Sequence, residues 1–553
     1  MTLLTVSGRV AQVLGNHVTD VFGVMGNGNV HFLDAAEKLG LRFSPVRHEG
    51  AAVAAADAYY RSSGRLAAGT TTYGPGYTNA LTALAEAVQA QIPVVLVTGD
   101  APSTGARPWD VDQSSIAAGL GASTFTVTRE TAGAVTQQAV DYALTKRTAV
   151  VVAIPYDLAS LDAAEEELPV PAAESTAAVI GIGLDQVARI LREAKRPLIL
   201  AGRGAHLSGA GLALREIADR IGALTAGSAL AMNLLQGDGY LGVAGGFGTD
   251  TAAGLMSEAD VVLVVGASLS PFTMRFGHLI GPDSTVVQID TAMQPTHPRV
   301  DTFISADAMA AARYLLHLLN GASPSGAWRA EACNRMDSGG SHDPGLEESL
   351  DGRMDPRSLA CALDSILPER RTVVQDGGHF MGWAPMYWRI PRPQDLIMVG
   401  TAYQSIGLGL ASAVGAARAL EDGRTLVLTA GDGGFLMGLS DLESLVSVAS
   451  SAIVVIYNDA AYGAEIHQYG SQGLTEKPML IPEVDFAGIA RALGAESAVI
   501  RSVADLSALS EWIDAGAEGT FVADCRITAT VRAPWLSEWM KATQAAKELA
   551  GQR

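Results

Sequence analysis

Short apolar runs rich in β-branched residues recur along this chain of 553 residues, and longer stretches with helical periodicity separate them. The runs lie at residues 94–98, 149–154, 198–201, 261–265, 286–289, 426–429 and 453–457. They are apolar at almost every position, as are strands buried on both faces of a parallel sheet. Helices are predicted between them, for example over 51–61, 185–194 and 441–449. Strands that alternate with helices indicate βαβ units, so we predict an α/β protein built from doubly wound parallel sheets.

Two stretches with the composition of linkers divide the chain. Residues 163–176 are acidic and contain proline, and residues 338–355 are rich in glycine, serine and charged residues. A chain of this length is expected to form three or four domains. We therefore predict three Rossmann-like domains over residues 1–165, 180–335 and 355–553.

The charge balance and the cysteines exclude several classes of protein. Asp and Glu outnumber Lys and Arg by 58 to 38, a net charge of −20, so we expect neither nucleic acid nor an anionic membrane as partner. The longest apolar runs are too short to span a bilayer, and residues 1–9 lack the pattern of a signal peptide, so we expect a cytoplasmic protein. Cys333, Cys361 and Cys525 are far apart in sequence and form neither a CxxC metal motif nor a disulfide framework.

Acidic residues follow two predicted strands in the last third of the chain. A strand over 424–430 precedes Gly-Asp-Gly-Gly at 431–434, which is predicted to be a turn, and the strand at 453–457 precedes Asn458 and Asp459. The carboxyl ends of parallel strands form the edge at which such sheets bind ligands. Carboxylates are ligands that Mg²⁺ prefers, and glycines let backbone N–H groups approach phosphate oxygens. A single Gly-Asp-Gly is usually only a turn, but the second strand-end acid favours a metal–diphosphate site.

This spacing resembles the thiamine diphosphate (ThDP) signature GDG…NN, and nearly the whole chain resembles the superfamily of acetolactate synthase, pyruvate oxidase and pyruvate decarboxylase. The resemblance implies a pyrimidine-binding, a central and a diphosphate-binding domain, in this order. It implies a Mg²⁺ ion held by the side chains of Asp432 and Asp459 and by the carbonyl of Ala461. Asp459 stands where the family most often has a second Asn, and a carboxylate is still a good ligand for Mg²⁺.

The resemblance also implies which other residues contact the cofactor. Glu49 matches the glutamate that activates the cofactor through its pyrimidine ring; the alternative is an ordinary acid at a helix N-terminus. Ile406 matches the apolar residue that wedges between the two cofactor rings; the alternative is a simple buried helix. His379 matches a diphosphate contact but could equally be a surface loop residue. The full set of implied cofactor-binding residues is Gly26, Glu49, Asn79, Gly378, His379, Gly400, Ser405, Ile406, Gly431, Asp432, Gly433, Gly434, Asp459, Ala461, Tyr462 and Gly463.

The residues expected near the substrate resemble those of pyruvate decarboxylases at some positions and those of acetolactate synthases at others. Asn27 occupies the position of an active-site aspartate of pyruvate decarboxylases, and Glu465 lines up with their second catalytic glutamate. Their paired histidines are missing from residues 106–116. Gln113 falls near the Phe-Gln-Glu segment of acetolactate synthases, but Val111 replaces the phenylalanine.

We therefore expect an enzyme of the acetolactate synthase-like branch, with Glu49, Glu465, Gln113 and Asn27 as catalytic residues. It would cleave or decarboxylate a 2-oxo acid and transfer the acyl-anion equivalent to a carbonyl acceptor. The alternatives are a non-oxidative decarboxylase that releases an aldehyde and a non-catalytic regulatory paralogue. The expected marks of a non-catalytic paralogue are losses at Glu49, Asp432 or Ile406, and none of these residues is lost.

Two features of the resemblance concern the central domain and the assembly. Residues 202–204 (Gly-Arg-Gly) lack the third glycine of GxGxxG, so this motif does not itself predict a nucleotide. The resemblance leaves open whether the central domain holds FAD or ADP.

The resemblance also implies a homodimer or homotetramer with active sites between subunits.

Overall fold

The strands form three separate parallel sheets. The structure is a computed structural model that describes residues 4–166, 183–324 and 326–551. Each sheet has six strands, all neighbouring strands run parallel, and every apolar run predicted above lies inside a strand. The prediction of three doubly wound α/β domains is therefore confirmed. Most of the predicted linker at 163–176 lies outside the described residues, and the proposed domain limits stay predictions. No helix in the described ranges is long and apolar enough to cross a membrane.

The first sheet has the strand order β2-β1-β3-β4-β6-β5. Its strands are β1 (Asp20–Gly23), β2 (Arg42–Pro45), β3 (Ala68–Thr71), β4 (Val94–Asp100), β5 (Ser123–Thr126) and β6 (Ala149–Pro155). Its helices are α1 (Val6–Leu14), α2 (Val30–Lys38), α3 (Glu49–Ser63), α4 (Pro75–Asn79), α5 (Leu81–Gln89), α6 (Gln113–Gly119) and α7 (Ala132–Lys146). The order reverses between β1 and β3, and sheets of this type bind ligands at such a point.

The central sheet has the strand order β12-β11-β10-β7-β8-β9. Its strands are β7 (Pro197–Ala201), β8 (Leu224–Gly227), β9 (Tyr240–Val243), β10 (Val261–Val265), β11 (Thr285–Asp290) and β12 (Thr302–Ser305). Its helices are α8 (Leu184–Glu193), α9 (Arg203–Leu207), α10 (Gly211–Ile221), α11 (Asp250–Ser257), α12 (Ala308–Leu318) and α13 (Trp328–Gly339). Helix α9 begins directly at Arg203, where a dinucleotide-binding motif would have its glycine-rich loop.

The third sheet has the strand order β14-β13-β15-β16-β18-β17. Its strands are β13 (Arg371–Gln375), β14 (Leu396–Met398), β15 (Thr425–Gly431), β16 (Ser451–Asn458), β17 (Glu496–Ile500) and β18 (Gly519–Arg526). Its helices are α14 (Pro356–Ile366), α15 (Trp383–Tyr387), α16 (Gly409–Ala419), α17 (Asp432–Met437), α18 (Leu442–Val448), α19 (Gly463–Gln468), α20 (Phe486–Ala492), α21 (Ser507–Asp514) and α22 (Pro534–Gly551). The prediction of a turn at 431–434 is wrong, because β15 ends at Gly431 and α17 begins at Asp432. The backbone N–H groups of this helix start therefore point out of the sheet edge.

The first and third domains are joined through helices α3 and α16. Small side chains let the two helix backbones approach closely, and a Cβ on Gly415 would lie only 1.9 Å from the carbonyl oxygen of Ala55. Both helices belong to one continuous apolar core. The backbone N–H of Arg47 donates to Asp441 (2.9 Å), and Arg61 donates to the carbonyl of Met398 (3.0 Å). This packing fixes the two outer sheets relative to each other.

Candidate active site

Two carboxylates lie at the carboxyl ends of the neighbouring strands β15 and β16. Asp432 is 2% exposed; its Oδ1 accepts the N–H of Gly433 (3.0 Å), and its Oδ2 is buried with no hydrogen-bond partner among the described residues. Burial raises the pKa of Asp432 to about 6. Burial, and then the charge of Asp432, raises the pKa of Asp459 to about 8. Two acids close enough for the charge of one to raise the pKa of the other, one buried and one partly buried, need a counter-ion when both are ionised, and a divalent cation meets that need.

The backbone around these acids leaves room only for glycine at two positions. A Cβ on Gly433 would lie 2.6 Å from the ring of Tyr462, and a Cβ on Gly463 would lie 2.6 Å from Oδ2 of Asp459. Within the described ranges, no three His, Cys, Asp or Glu side chains are placed to hold a metal ion together. The residues present therefore fit a cation that takes two side-chain carboxylates here and completes its shell with backbone and ligand oxygens, as Mg²⁺ does on a diphosphate.

The loop that carries Ile406 is irregular, and glycines make its turns possible. Gly400 and Gly407 have positive φ angles of 98° and 84°, and the N–H of Ser405 donates to the carbonyl of Gly400 (2.9 Å). The alternative of a simple buried helix is wrong, because α16 begins only at Gly409. The side chain of Ile406 lies near the end of β13, where a Cβ on Gly377 would be 3.1 Å from its Cγ2.

A residue that the sequence analysis missed holds this loop in place. Asp376 follows β13 and is 2% exposed. Its carboxylate accepts the N–H of Gly377 (2.7 Å) and the N–H of Gly407 (2.9 Å), and it lies beside Gly434 of the acidic edge. Burial raises its pKa to about 6. Asp376 thus connects the loop of Ile406 to the edge at Gly434, and no motif signals this because Gly407 and Gly434 are distant in sequence.

We expect the replacement Asp376→Asn to loosen the loop around Ile406. An amide has one acceptor oxygen instead of two, and its NH₂ group would face backbone donors. The exchange rate of the Gly407 amide proton should rise at least about tenfold, because a hydrogen bond of about 1–2 kcal/mol is lost. Hydrogen–deuterium exchange measures this, with the exposed Asp422→Asn as matched control. Unchanged protection at Gly407 in Asp376→Asn would show that this carboxylate does not hold the loop.

The other predicted residues of the third domain differ in exposure. His379 is buried, so the surface-loop alternative is wrong, and Gly378 before it has a φ of 148°. Tyr462 is 36% exposed, and Glu465 on α19 is also exposed. The catalytic role of Glu465 stays a prediction, since no partner group faces it in the chain as described.

The first domain contributes a second cluster. Glu49 is the first residue of α3, and its Oε2 accepts a hydrogen bond from Nδ2 of Asn79 (2.9 Å). A Cβ on Gly76 would lie 3.3 Å from Oε1 of Glu49. Gly26 lies against the Thr72 side chain at the same sheet edge, and its N–H donates to Asn29 (2.8 Å). The cluster thus surrounds one carboxyl group with small residues and an amide donor.

Two predicted catalytic residues lie at this edge in different environments. Asn27 is exposed at the tip of the loop that Asn29 braces. Gln113 is 3% exposed; its Oε1 accepts the N–H of Gly74 (2.7 Å), and its Nε2 donates to the carbonyl of Gly99 (2.9 Å). Its side chain therefore holds the loop before α4 against β4, and a direct contact with substrate stays a prediction.

A separate cavity of about 260 Å³ lies where the three domains meet. Its lining includes Arg61, Arg147, Arg203 and His206. Arg61 is paired with Asp57 and Glu86, whereas Arg147 and Arg203 have no carboxylate partner among the described residues. Nη2 of Arg147 is buried and has no hydrogen-bond partner in the described part of the chain, and burial and the neighbouring arginines lower the pKa of Arg203 to about 10. The cavity is therefore suited to an anion.

Family models match all three domains. Residues 4–118 match the N-terminal TPP binding domain of thiamine pyrophosphate enzymes, residues 184–315 their central domain, and residues 376–524 their C-terminal TPP binding domain. The chain belongs to the thiamine pyrophosphate enzyme superfamily. The resemblance read from the sequence is therefore confirmed, and the protein is a ThDP-dependent enzyme by family.

Relatives within the superfamily include enzymes of more than one kind. The chain is 27% identical to sulfoacetaldehyde acetyltransferase of Castellaniella defragrans over 92% of this chain and 90% of the relative. It is 28% identical to the large subunit of acetolactate synthase isozyme 2 of Escherichia coli (strain K12), covering 86% and 87% of the two chains. The structure of a ThDP-dependent 4-hydroxybenzoylformate decarboxylase from Rhodococcus jostii RHA1 matches with a TM-score of 0.78 at 19% identity, over 95% of this chain and 99% of that one. This last similarity concerns the fold alone.

Proposed function

We propose that this protein is a ThDP- and Mg²⁺-dependent carboligase that decarboxylates or cleaves a 2-oxo acid and transfers the acyl unit to a carbonyl acceptor. The observation that carries the proposal is the pair of strand-end acids: buried Asp432, which has an unpartnered carboxylate oxygen at the end of β15, and partly buried Asp459 at the end of β16. When bound, ThDP supplies a nucleophilic carbon and an electron sink for loss of CO₂ and transfer of the acyl carbon.

The residues that would act on the cofactor lie at the edges of two sheets, the third and the first. Asp432, Asp459 and the carbonyl of Ala461 would hold Mg²⁺, and the N-terminus of α17 would receive phosphate oxygens. Asp376 holds the loop that presents Ile406. At the other edge, Glu49 would hold and move a proton at the pyrimidine ring nitrogen, and Asn79 orients its carboxylate by donating to Oε2.

Two observations favour transfer over simple decarboxylation. The two relatives matched by sequence are an acetyltransferase and an acetolactate synthase, both similar over most of their length, whereas the decarboxylase matches in fold alone. The segment 106–116 has none of the paired histidines of decarboxylases. A decarboxylase that releases an aldehyde is the second candidate, since Glu465 stands at the position of the second catalytic glutamate of such enzymes.

We further propose a homodimer or a homotetramer in which the active site lies between subunits. No hydrogen bond among the described residues joins the Glu49 cluster to the Asp432 and Asp459 pair. Exposed apolar side chains occur in the segments of both clusters: Met25 (63%) precedes Gly26 and Trp109 (66%) precedes α6, while Met437 (62%) ends α17 and Leu480 (57%) pairs with Ala461. A second chain would cover these side chains and bring the two edges together. Sedimentation analysis of the purified protein tests the assembly.

For the cavity where the three domains meet, we propose that Arg147 of the first domain and Arg203 of the central domain receive the phosphate of a nucleotide. We expect ADP to raise the midpoint of thermal unfolding (Tm) of the wild type and to have no such effect on Arg147→Ala. Bound FAD would instead show as visible flavin absorbance of the purified protein. If neither ADP nor FAD binds, the cavity is not a nucleotide site.

The function is tested with purified protein, ThDP, Mg²⁺ and a panel of 2-oxo acids, each with and without an aldehyde or ketone acceptor. CO₂ release is measured, and the organic product is identified by NMR. A hydroxyketone formed only with acceptor supports the carboligase and names the donor. Free aldehyde in all reactions favours the decarboxylase. ThDP binding without turnover of any donor, including diketones and acyl-CoA, favours the non-catalytic paralogue.

A further inference from the structure

The tautomer of His379 is determined by a backbone group at the far end of the chain. Nε2 of His379 lies 2.8 Å from the backbone nitrogen of Ala533, which can only donate. Nε2 must therefore be the unprotonated nitrogen, and the ring proton of neutral His379 must lie on Nδ1. Burial, together with the neighbouring His467 and Arg532, lowers the pKa of His379 to about 3, so the ring is neutral.

The protonated nitrogen lies next to the acidic edge. A Cβ on Gly463 would be 3.4 Å from Nδ1 of His379 and 2.6 Å from Oδ2 of Asp459. The N–H donor and the carboxylate therefore flank the same glycine at the start of α19. A donor beside a cation-binding carboxylate is suited to an anionic oxygen bound to that cation.

A second histidine, His467, packs against the ring of His379. The ring centroid of His467 lies 4.6 Å from that of His379, and its side chain is 7% exposed. Burial lowers the pKa of His467 to about 4, and its Nε2 is buried without a hydrogen-bond partner among the described residues. His467 thus shields one face of His379 from water.

Residues 531–536, which we name the C-terminal strap, hold His379 at two points. Ala533 donates to the ring, and Nε1 of Trp535 donates to the His379 carbonyl (3.2 Å). Trp535 also packs on Phe272 of the central domain, with ring centroids 6.4 Å apart. The strap therefore links the orientation of His379 to the packing of a different domain.

We propose that the C-terminal strap is a positioning element that fixes the Nδ1–H tautomer of His379, so that this group donates to a diphosphate oxygen beside Gly463 and Asp459. The inference rests on the proposed function, because it assumes a diphosphate at this edge. It adds that Ala533, through its backbone alone, decides which ring nitrogen faces that diphosphate.

The binding of ThDP to the full chain in the presence of Mg²⁺ tests the donor. Isothermal titration calorimetry should show about tenfold weaker binding for His379→Ala, the loss of one charge-assisted hydrogen bond. His379→Asn should keep most of the affinity, because its Nδ2–H lies near the position of Nδ1–H, whereas His379→Gln should not. The affinities of these variants for inorganic diphosphate should rank in the same order as their affinities for ThDP. His342→Ala, a partly buried histidine in contact with Tyr387, is the matched control.

The role of the strap is tested by the tautomer itself. Selective ¹⁵N labelling of histidine should show His379 protonated on Nδ1 in the wild type, and its signal is assigned by its loss in His379→Gln. In Ala533→Pro, which removes the N–H, the proton should be distributed over both nitrogens and ThDP should bind more weakly. Since this variant also stiffens the strap, Trp535→Phe serves as a control that keeps the Ala533 donor.

The outcomes separate this inference from the proposed function. If the wild type does not bind ThDP, the proposed function fails and the inference fails with it. If the wild type binds ThDP and His379→Ala binds it equally well, the inference is overturned while the proposed function stands. The assigned tautomer is overturned if His379→Gln keeps the affinity for ThDP and His379→Asn does not. It is also overturned if the ring proton of His379 in the wild type is found on Nε2.

Discussion

Replacing Glu49 with Gln will lower turnover at least about 100-fold and leave the affinity for ThDP close to that of the wild type. The amide has the size of the carboxyl group and can still pair with Asn79, whose Nδ2 donates to Oε2 of Glu49 at 2.9 Å. It cannot hold or transfer a proton, and that is the function proposed for Glu49. Steady-state kinetics give the turnover, and calorimetric titration gives the affinity for ThDP.

The matched control for this prediction is Glu443→Gln. Glu443 is a half-exposed acid that pairs with Arg47, two residues before Glu49 in the chain, at 2.6 Å. We expect its replacement to change neither turnover nor cofactor affinity, because an exposed ion pair contributes little to stability. Equal turnover of Glu49→Gln and the wild type would remove Glu49 from the catalytic residues.

Asp459→Asn is expected to stabilise the protein without ligands and to weaken its binding of Mg²⁺. The pKa of Asp459 is raised to about 8 in the folded chain, against about 4 when unfolded. The stability that its protonation provides is complete below the unfolded pKa and is lost as pH rises through about 8. At pH 8 the variant avoids the cost of a buried charge, so its free energy of unfolding should be higher by at least about 1 kcal/mol.

The same replacement removes a charged ligand from the metal. We expect the Mg²⁺ concentration needed for half-maximal ThDP binding to rise at least about tenfold, because an amide oxygen is a weaker ligand than a carboxylate. Calorimetric Tm values at pH 6 and pH 8, with and without Mg²⁺ and ThDP, measure both effects. The control is Asp485→Asn, at an exposed helix N-cap that asparagine serves equally well. A lower Tm of ligand-free Asp459→Asn at pH 8, or unchanged Mg²⁺ dependence, would contradict the prediction.

Features set by neighbouring residues could be predicted from the sequence. Seven of the eighteen described strands were predicted individually, because a strand buried on both faces needs an apolar residue at nearly every position, as in 261–265. The strand-end acids Asp432 and Asp459 were found because they follow two strands of a single βαβ unit. Glu49 was found only through the resemblance to the superfamily.

Features that depend on distant contacts were missed or assigned differently. Asp376 has no motif, and its role depends on Gly407, which is 31 residues away. Gln113 was expected to face substrate, but the loop before α4 and the end of β4 occupy its polar atoms. The short helix α17 replaced a predicted turn, because the strand end continues directly into a helix.

The sequence by itself thus determined the three parallel sheets, the superfamily and the residue types at the strand ends, since these depend on local periodicity and spacing. Only the tertiary structure decided which ring nitrogen of His379 carries the proton, because Ala533 lies 154 residues further along the chain. It also decided that Arg147 and Arg203, from two different domains, line one cavity. The physical reason is that the partner of a buried polar group is chosen by the packing of whole domains, which no local pattern records.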